Sequence, residues 1–166
     1  MPTLLKGTDI VNDEWHIVDD GDGMLPAAGD VIVSLERWLE IADELRAARR
    51  RAGVWLDVDA EPESIAGHLD RIPLIAIRFP AFNDGRGLSL AALLRTRHGY
   101  EGELRAIGAI HEDLVHYLVR CGFDSYLLPD GRNTEVAQRG LSVMSDYYQG
   151  SVIDPQPAFK RHQRGR

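Results

Sequence analysis

Asn83, Asp84, Gly85, Arg86, Gly87 and Ser89 fall within seven residues, just before a stretch with the apolar spacing of a helix. These residue types in this order can hold an anion. Glycine accepts positive φ and lets the backbone approach a ligand closely. The free amides and the dipole at a helix start favour negative charge. A guanidinium such as that of Arg86 grips two oxygens at once. The spacing matches neither the GxGxxG dinucleotide fingerprint nor the GK[ST] ending of a P-loop. The same residues also suit a strand-to-helix corner, with Asp84 in an Asx-type turn and Ser89 capping the helix. From the residues alone both readings stand.

Other polar groups follow neighbouring apolar runs: Asp59 and Glu61, then His111, Glu112 and Asp113, then Asp130, Arg132 and Asn133. In parallel α/β folds such groups collect beyond the carboxyl ends of the strands, where ligands bind. Adjacent residues at a helix start do not face one another, so one metal held by His111, Glu112 and Asp113 together is not expected. Asp20 and Asp22 loosely match a calcium loop, without its remaining ligands or its closing glutamate. Cys121, the single cysteine, ends a helical segment. The dipole there raises a thiol's pKa, the reverse of what a nucleophile needs. Tyr147 and Tyr148 could stack on a flat ligand, although an aromatic pair ending a helix more often packs in a core.

The elements that must position these groups alternate. The stretch from Met1 to about Pro26 is polar and turn-rich, and permits a strand at 15–18. Residues 30–34 read as a short strand or the lead-in to a helix. Ser34 can cap that helix, on which Leu35, Trp38, Leu39, Ala42 and Leu45 share one face. Strands are expected at 54–59, 73–79, 102–108 and 123–128. Between them come a short helix opened by Pro62, a helix with Leu90, Leu93 and Leu94 inward, and a helix over 111–122 with Leu114, Tyr117, Leu118 and Cys121 on one side. A last helix runs from Thr134 to Gln149. The connections suit only crossovers, so the sheet is mainly parallel and the class is α/β. It is either open and Rossmann-like or a partial (βα) barrel. Asp57 and Arg105, alternating with apolar neighbours inside strands, point to a semi-polar inner face and so to curling. The chain divides into an extension and loop at 1–29, an α/β domain at 30–150 and a basic tail at 151–166.

Length and charge bound the function. A chain of 166 residues with 44% hydrophobic residues suits one domain with a sizeable core. Its net charge of -7 argues against general nucleic-acid binding and against an anionic membrane surface. No segment has the apolar length of a membrane span, and the N-terminus lacks the charged start and apolar centre of a signal peptide, so a cytoplasmic location is expected. One cysteine excludes an internal disulfide and an all-cysteine metal site within one chain. Seven acids against Lys6 between Met1 and Asp30 could meet a basic partner face.

The segment FPAFNDGRGLSLAALLRTRHGYEGELRAIGAIHEDLVHYLVRCGFDSYLL, with its motifs FPxFxDGRGxS, GELRAxG and RCGFD, resembles an uncharacterised bacterial family described as oxidoreductases involved in sulfite reduction. The family's genes tend to lie beside those for sulfite reductase. The resemblance is strongest from Phe79 to Leu128. It places Asp84, Gly85, Arg86, Gly87, Ser89, Arg105, Arg120, Cys121 and Asp124 at matching motif positions. It implies Arg86 and Arg105 as anion contacts, with Asp84 orienting Arg86 or shaping the turn. Sulfite reduction ordinarily uses siroheme and an iron–sulfur cluster, and a single cysteine cannot ligate a four-cysteine cluster. A flavin needs only a phosphate cradle, so the cofactor stays open. The resemblance implies an accessory protein of assimilatory sulfite reduction. Such a protein would be a non-catalytic partner of sulfite reductase or its electron donor, or would bind a small anion or cofactor. The alternative is a small α/β enzyme or oxidoreductase acting on a phosphate-, sulfate- or carboxylate-bearing ligand.

Overall fold

The computed structural model describes residues 1–142 and 151–153. It contains one mixed sheet of eight strands: β1 (Thr3–Lys6), β2 (Asp9–Val11), β3 (Trp15–Ile17), β4 (Asp30–Ser34), β5 (Ala52–Asp57), β6 (Leu74–Phe79), β7 (Glu103–Gly108) and β8 (Ser125–Leu128). The order across the sheet is β2-β1-β8-β7-β6-β5-β4-β3. Strands β3 to β8 are parallel, while β1 runs antiparallel to β8 and β2 antiparallel to β1. The helices are α1 (Leu35–Ala47), α2 (Arg86–Thr96), α3 (Val115–Arg120) and α4 (Thr134–Ser142).

The parallel strands follow chain order without reversal, so the sheet has no switch point of the doubly wound kind. Chain length then forces a curl. β2 and β3 are the two edges, yet only residues 12–14 join Val11 to Trp15. Four Cα steps span at most about 15 Å, whereas a flat eight-stranded sheet would hold its edges about 34 Å apart. The sheet closes the difference by rolling into a half-barrel.

Alternation along the strands sorts side chains onto two faces. Val33, Val54, Leu56, Ile75, Ile77, Leu104 and Tyr126 point outward under the helices. There they pack with Trp38 of α1, Leu90 and Leu94 of α2, Val115 and Leu118 of α3 and Ala137 of α4. Ile32, Leu74, Ala76 and Ile107 face inward, with Trp15, Ile17, Trp55 and Leu127 against them. Buried Arg105 and Ser125 share that concave side, as the strand polarity suggested. Gly108 ends β7 at φ 89, and a Cβ there would lie 2.4 Å from the Phe79 carbonyl oxygen, so only glycine fits this corner.

Ser34 caps α1, accepting from Arg37 N at 3.3 Å, and residues 30–34 form a strand. Several local expectations change. β1 and β2 lie in a segment read as polar loop. The Pro62 helix is two separate 3-10 turns, Pro62–Ser64 and Ala66–His68. The helix expected over 111–122 opens as a 3-10 turn and is α-helical only from Val115. Leu39, Leu93 and Tyr117, placed on buried faces by spacing, are exposed at 53%, 38% and 48%. Each sits at the margin of its helix's apolar stripe, where a rotation of a few tens of degrees decides burial. Tyr147 to Gln149 and the basic end of the tail lie outside the described residues.

Candidate functional site

The parallel strands deliver their C-terminal loops to one rim. After β6 the chain turns through residues 80–85 and enters α2 at Arg86. Here Asp84 supplies the negative charge that the helix start attracts. Its Oδ1 accepts from the Arg86 amide at 3.1 Å and from Arg86 Nε at 3.0 Å, and its Oδ2 accepts from Nη2 at 2.7 Å. This hydrogen-bonded guanidinium holds the Asp84 carboxyl below its ordinary value, and Asp84 in turn raises Arg86. The Asx-type turn is therefore present, tightened by a side-chain pair, while 59% of the Arg86 side chain remains exposed.

Ser89 does not cap. The helix starts three residues before it, with Gly85 at the cap position and no side-chain cap bond, and the Ser89 amide donates to Gly85 O at 3.3 Å. Gly85 has φ -71 and open space around it, so no special backbone freedom is used there. Gly87 is different. A Cβ would lie 2.5 Å from the Phe79 ring and 3.0 Å from Val58, so its lack of a side chain is what lets α2 settle on the ends of β5 and β6.

Arg105 is not on this rim. It lies in the first half of β7, points into the concave interior and is 2% exposed. Its Nη1 donates to Asp13 Oδ1 at 2.8 Å, and Nε and Nη2 donate to Glu103 Oε1 at 3.2 and 2.9 Å. Ser125 Oγ donates to the same oxygen at 2.7 Å, and Lys6 Nζ to Glu103 Oε2 at 2.8 Å. Arg86 and Arg105 share no partner. One shapes a loop and the other binds the interior together.

Three successive loops do meet. Phe82, after β6, packs against His111, after β7, with ring centroids 4.9 Å apart and planes tilted by 46°. His111 Nδ1 lies 3.1 Å from Arg132 Nη1, after β8. Glu112 accepts from the Asn133 amide at 3.4 Å and has Arg132 at 3.8 Å. Its own amide, then the Asn133 amide and the Arg132 charge, hold its carboxyl below the ordinary value against the opposing effect of burial. Across the rim, Arg78 donates to Asp19 at 2.6 Å and sits 4.0 Å over the Trp55 ring. Arg78, Arg86 and Arg132 are thus each engaged with a protein carboxylate, although Arg86 keeps an exposed flank.

Beside the Asp84 turn lies a cavity of about 260 Å³, mostly apolar, between the β6–α2 loop and α3. Phe79, Leu88, Ile110, Leu114 and Leu118 line it, and Phe82 and Tyr117, 54% and 48% exposed, form its lips. The sequence carried one signal for it, an aromatic residue inside a Pro-, Gly- and Asp-rich loop. Cys121 lies beyond α3, half-buried, and burial pushes its thiol up. Among the described residues no three His, Cys, Asp or Glu side chains are grouped to hold a metal ion, and no helix is long and apolar enough to cross a membrane.

No curated protein sequence matches the chain. A family profile covers residues 53–159, from the start of β5 past α4, and so takes in the whole rim from Asp59 to Asn133. On that match the chain belongs to the family described as bacterial protein of unknown function, DUF934.

Proposed function

We propose that this chain is a non-catalytic accessory protein of assimilatory sulfite reduction, docking sulfite reductase or its electron donor through the strand-end rim. The observation that carries the docking role is the apolar cavity with Phe82 and Tyr117 standing at its mouth. Exposed aromatic side chains around a pre-formed apolar pocket are the usual anchors of protein recognition. The arginines of the rim are engaged with protein carboxylates, which suits a surface built for a protein over one built for a highly charged substrate. The pathway rests on the resemblance carried by the motifs around Asp84 and Arg105.

The test is co-purification with sulfite reductase from the same cells, by the wild-type chain and by Phe82→Ser. The wild type should retain the reductase and the variant should lose it, and a deletion strain should grow on cysteine but poorly on sulfate. Normal growth on sulfate would remove the pathway, and equal retention by both chains would remove the surface.

The exposed flank of Arg86 favours a second reading. An anionic ligand on the same rim would meet that guanidinium while Asp84 keeps its other edge. Arg86→Ala would then weaken ligand binding by about 1.5–3 kcal/mol, the scale of a charged hydrogen bond.

A further inference from the structure

At the opposite end of the strands, four guanidinium-bearing residues line a cavity of about 170 Å³. They are Arg46 of α1, Arg50 and Arg51 just beyond it, and Arg71 ahead of β6, over a floor that includes Trp38 and Pro73. Among the described residues their charges are only partly offset. Arg51 Nε donates to Asp30 at 2.6 Å. Arg46 and Arg71 converge on the same oxygen of Asp43, at 3.4 and 2.5 Å. Among the described residues Arg50 donates only to backbone carbonyls, Gly29 O at 2.6 Å and Pro26 O at 3.0 Å. Among the described residues two carboxylates therefore serve three of the four arginines and none serves Arg50, with Glu14 reaching Arg51 only at 4.0 Å.

A fifth arginine is kept nearby at a conformational cost. The α1 C-terminus is a Schellman motif, with Arg50 N donating to Leu45 O at 2.8 Å and Arg49 N to Arg46 O at 3.0 Å. The left-handed position of that motif, normally glycine, is Arg49 at φ 58. A helix C-terminus attracts cations, which accounts for Arg46 and Arg49. It does not account for Arg71, which arrives from a different segment, or for the concentration of positive charge in a chain of net charge -7. Strain held at a charged cluster points from structure toward function.

We infer that this cavity binds a tetrahedral dianion, a phosphate or sulfate group. Arg46 and Arg50, the two guanidiniums least neutralised by carboxylates, are its principal ligands. Its volume is below the 300–1,000 Å³ of pockets for drug-sized molecules. The occupant is accordingly a free ion or the terminal group of a larger molecule reaching in from solvent. The site is separate from the rim, and its test does not depend on partner docking.

Isothermal titration at fixed ionic strength with inorganic phosphate, inorganic sulfate and a nucleoside 5′-monophosphate, against chloride, tests the inference. Phosphate or sulfate should bind where chloride does not. Equal affinity for phosphate and the monophosphate identifies a free-ion site, and tighter monophosphate binding identifies a group on a larger ligand. Arg46 is exposed on the surface, and Arg46→Gln should weaken binding at least fivefold. Arg50→Gln should weaken it at least tenfold, and Arg139→Gln, exposed on α4, should leave it unchanged. Absence of oxyanion-specific binding, unchanged affinity in Arg46→Gln, or loss in Arg139→Gln alone would overturn the assignment.

Discussion

Arg105 in β7 and Asp13 in the β2–β3 connector, 92 residues apart in the chain, meet at 2.8 Å inside the curled sheet. The contact ties the N-terminal connector to the centre of the half-barrel. It also gives a fully desolvated guanidinium its second carboxylate, after Glu103. Breaking a buried pair costs about 3–5 kcal/mol when the remaining charge is left alone. Glu103 still faces Arg105, so Asp13→Ala should cost less, about 2 kcal/mol by the same reasoning. Urea unfolding followed by tryptophan fluorescence would measure it, with Trp15 two residues away as a local reporter.

Glu103 links this cluster to pH. Burial pushes its carboxyl up, but the hydrogen bonds from Lys6, Ser125 and Arg105 together outweigh burial and leave it below the ordinary 4.5. A carboxyl depressed by folding contributes stability that is fully present above its unfolded value and is lost as pH falls through the folded value. Stability should therefore hold steady above about pH 4.5 and decline below it. In Ser125→Ala, which removes one of the bonds that lower the carboxyl, that acid-side slope should be shallower. A thermal-melt series across acid pH reads the difference.

Gly108→Ala should destabilise strongly. The new Cβ would meet the Phe79 carbonyl at 2.4 Å, and φ 89 is unfavourable to alanine. Strain and overpacking of this kind each cost about 1–3 kcal/mol. Since the clash falls on the strand that leads into the Asp84 turn, the amide signals of residues 79–87 should shift as well.

Arg49→Gly should act in the other direction. Glycine in the left-handed position of the Schellman motif relieves a cost of about 1–2 kcal/mol, partly offset by its greater freedom in the unfolded chain. A net gain of about 1 kcal/mol in unfolding free energy is expected. A loss of stability would mean that the Arg49 side chain holds the fold, against the reading of it as a residue retained for its charge.

Much of this architecture is legible in the residues. The strands β5 to β8 announce themselves by alternation or by continuous apolar runs, and α1 and α2 by a 3.6-residue stripe, while residues 30–34 fit either a strand or the lead-in to a helix. Asp57 and Arg105 within strands gave the hint of a curled sheet. What escaped depends on distant parts of the chain. β1 and β2 are four and three residues long, too short for a periodic signal, and are strands only because β8 offers an unpaired edge. Arg105 was visible as an unusual strand residue, but its partner Asp13 lies in a stretch with no pattern. At Asp84 and Arg86 the residue types point to the Asx-type turn that forms, yet whether the two side chains face a ligand or each other depends on the turn's backbone. The cavity beside them escaped for a related reason, since its lining comes from segments separated in the chain, from Phe79 to Leu88 and from Ile110 to Leu118.

The proposed docking surface faces its most direct test in equilibrium binding to purified sulfite reductase and to its electron donor, comparing the wild type, Phe82→Ser and the distant Arg46→Gln. An aromatic anchor at the centre of an interface is worth about 2 kcal/mol or more, so Phe82→Ser should bind at least tenfold more weakly while Arg46→Gln matches the wild type. A wild-type chain that binds neither the reductase nor its electron donor, or a partner that binds Phe82→Ser equally well, would contradict the account.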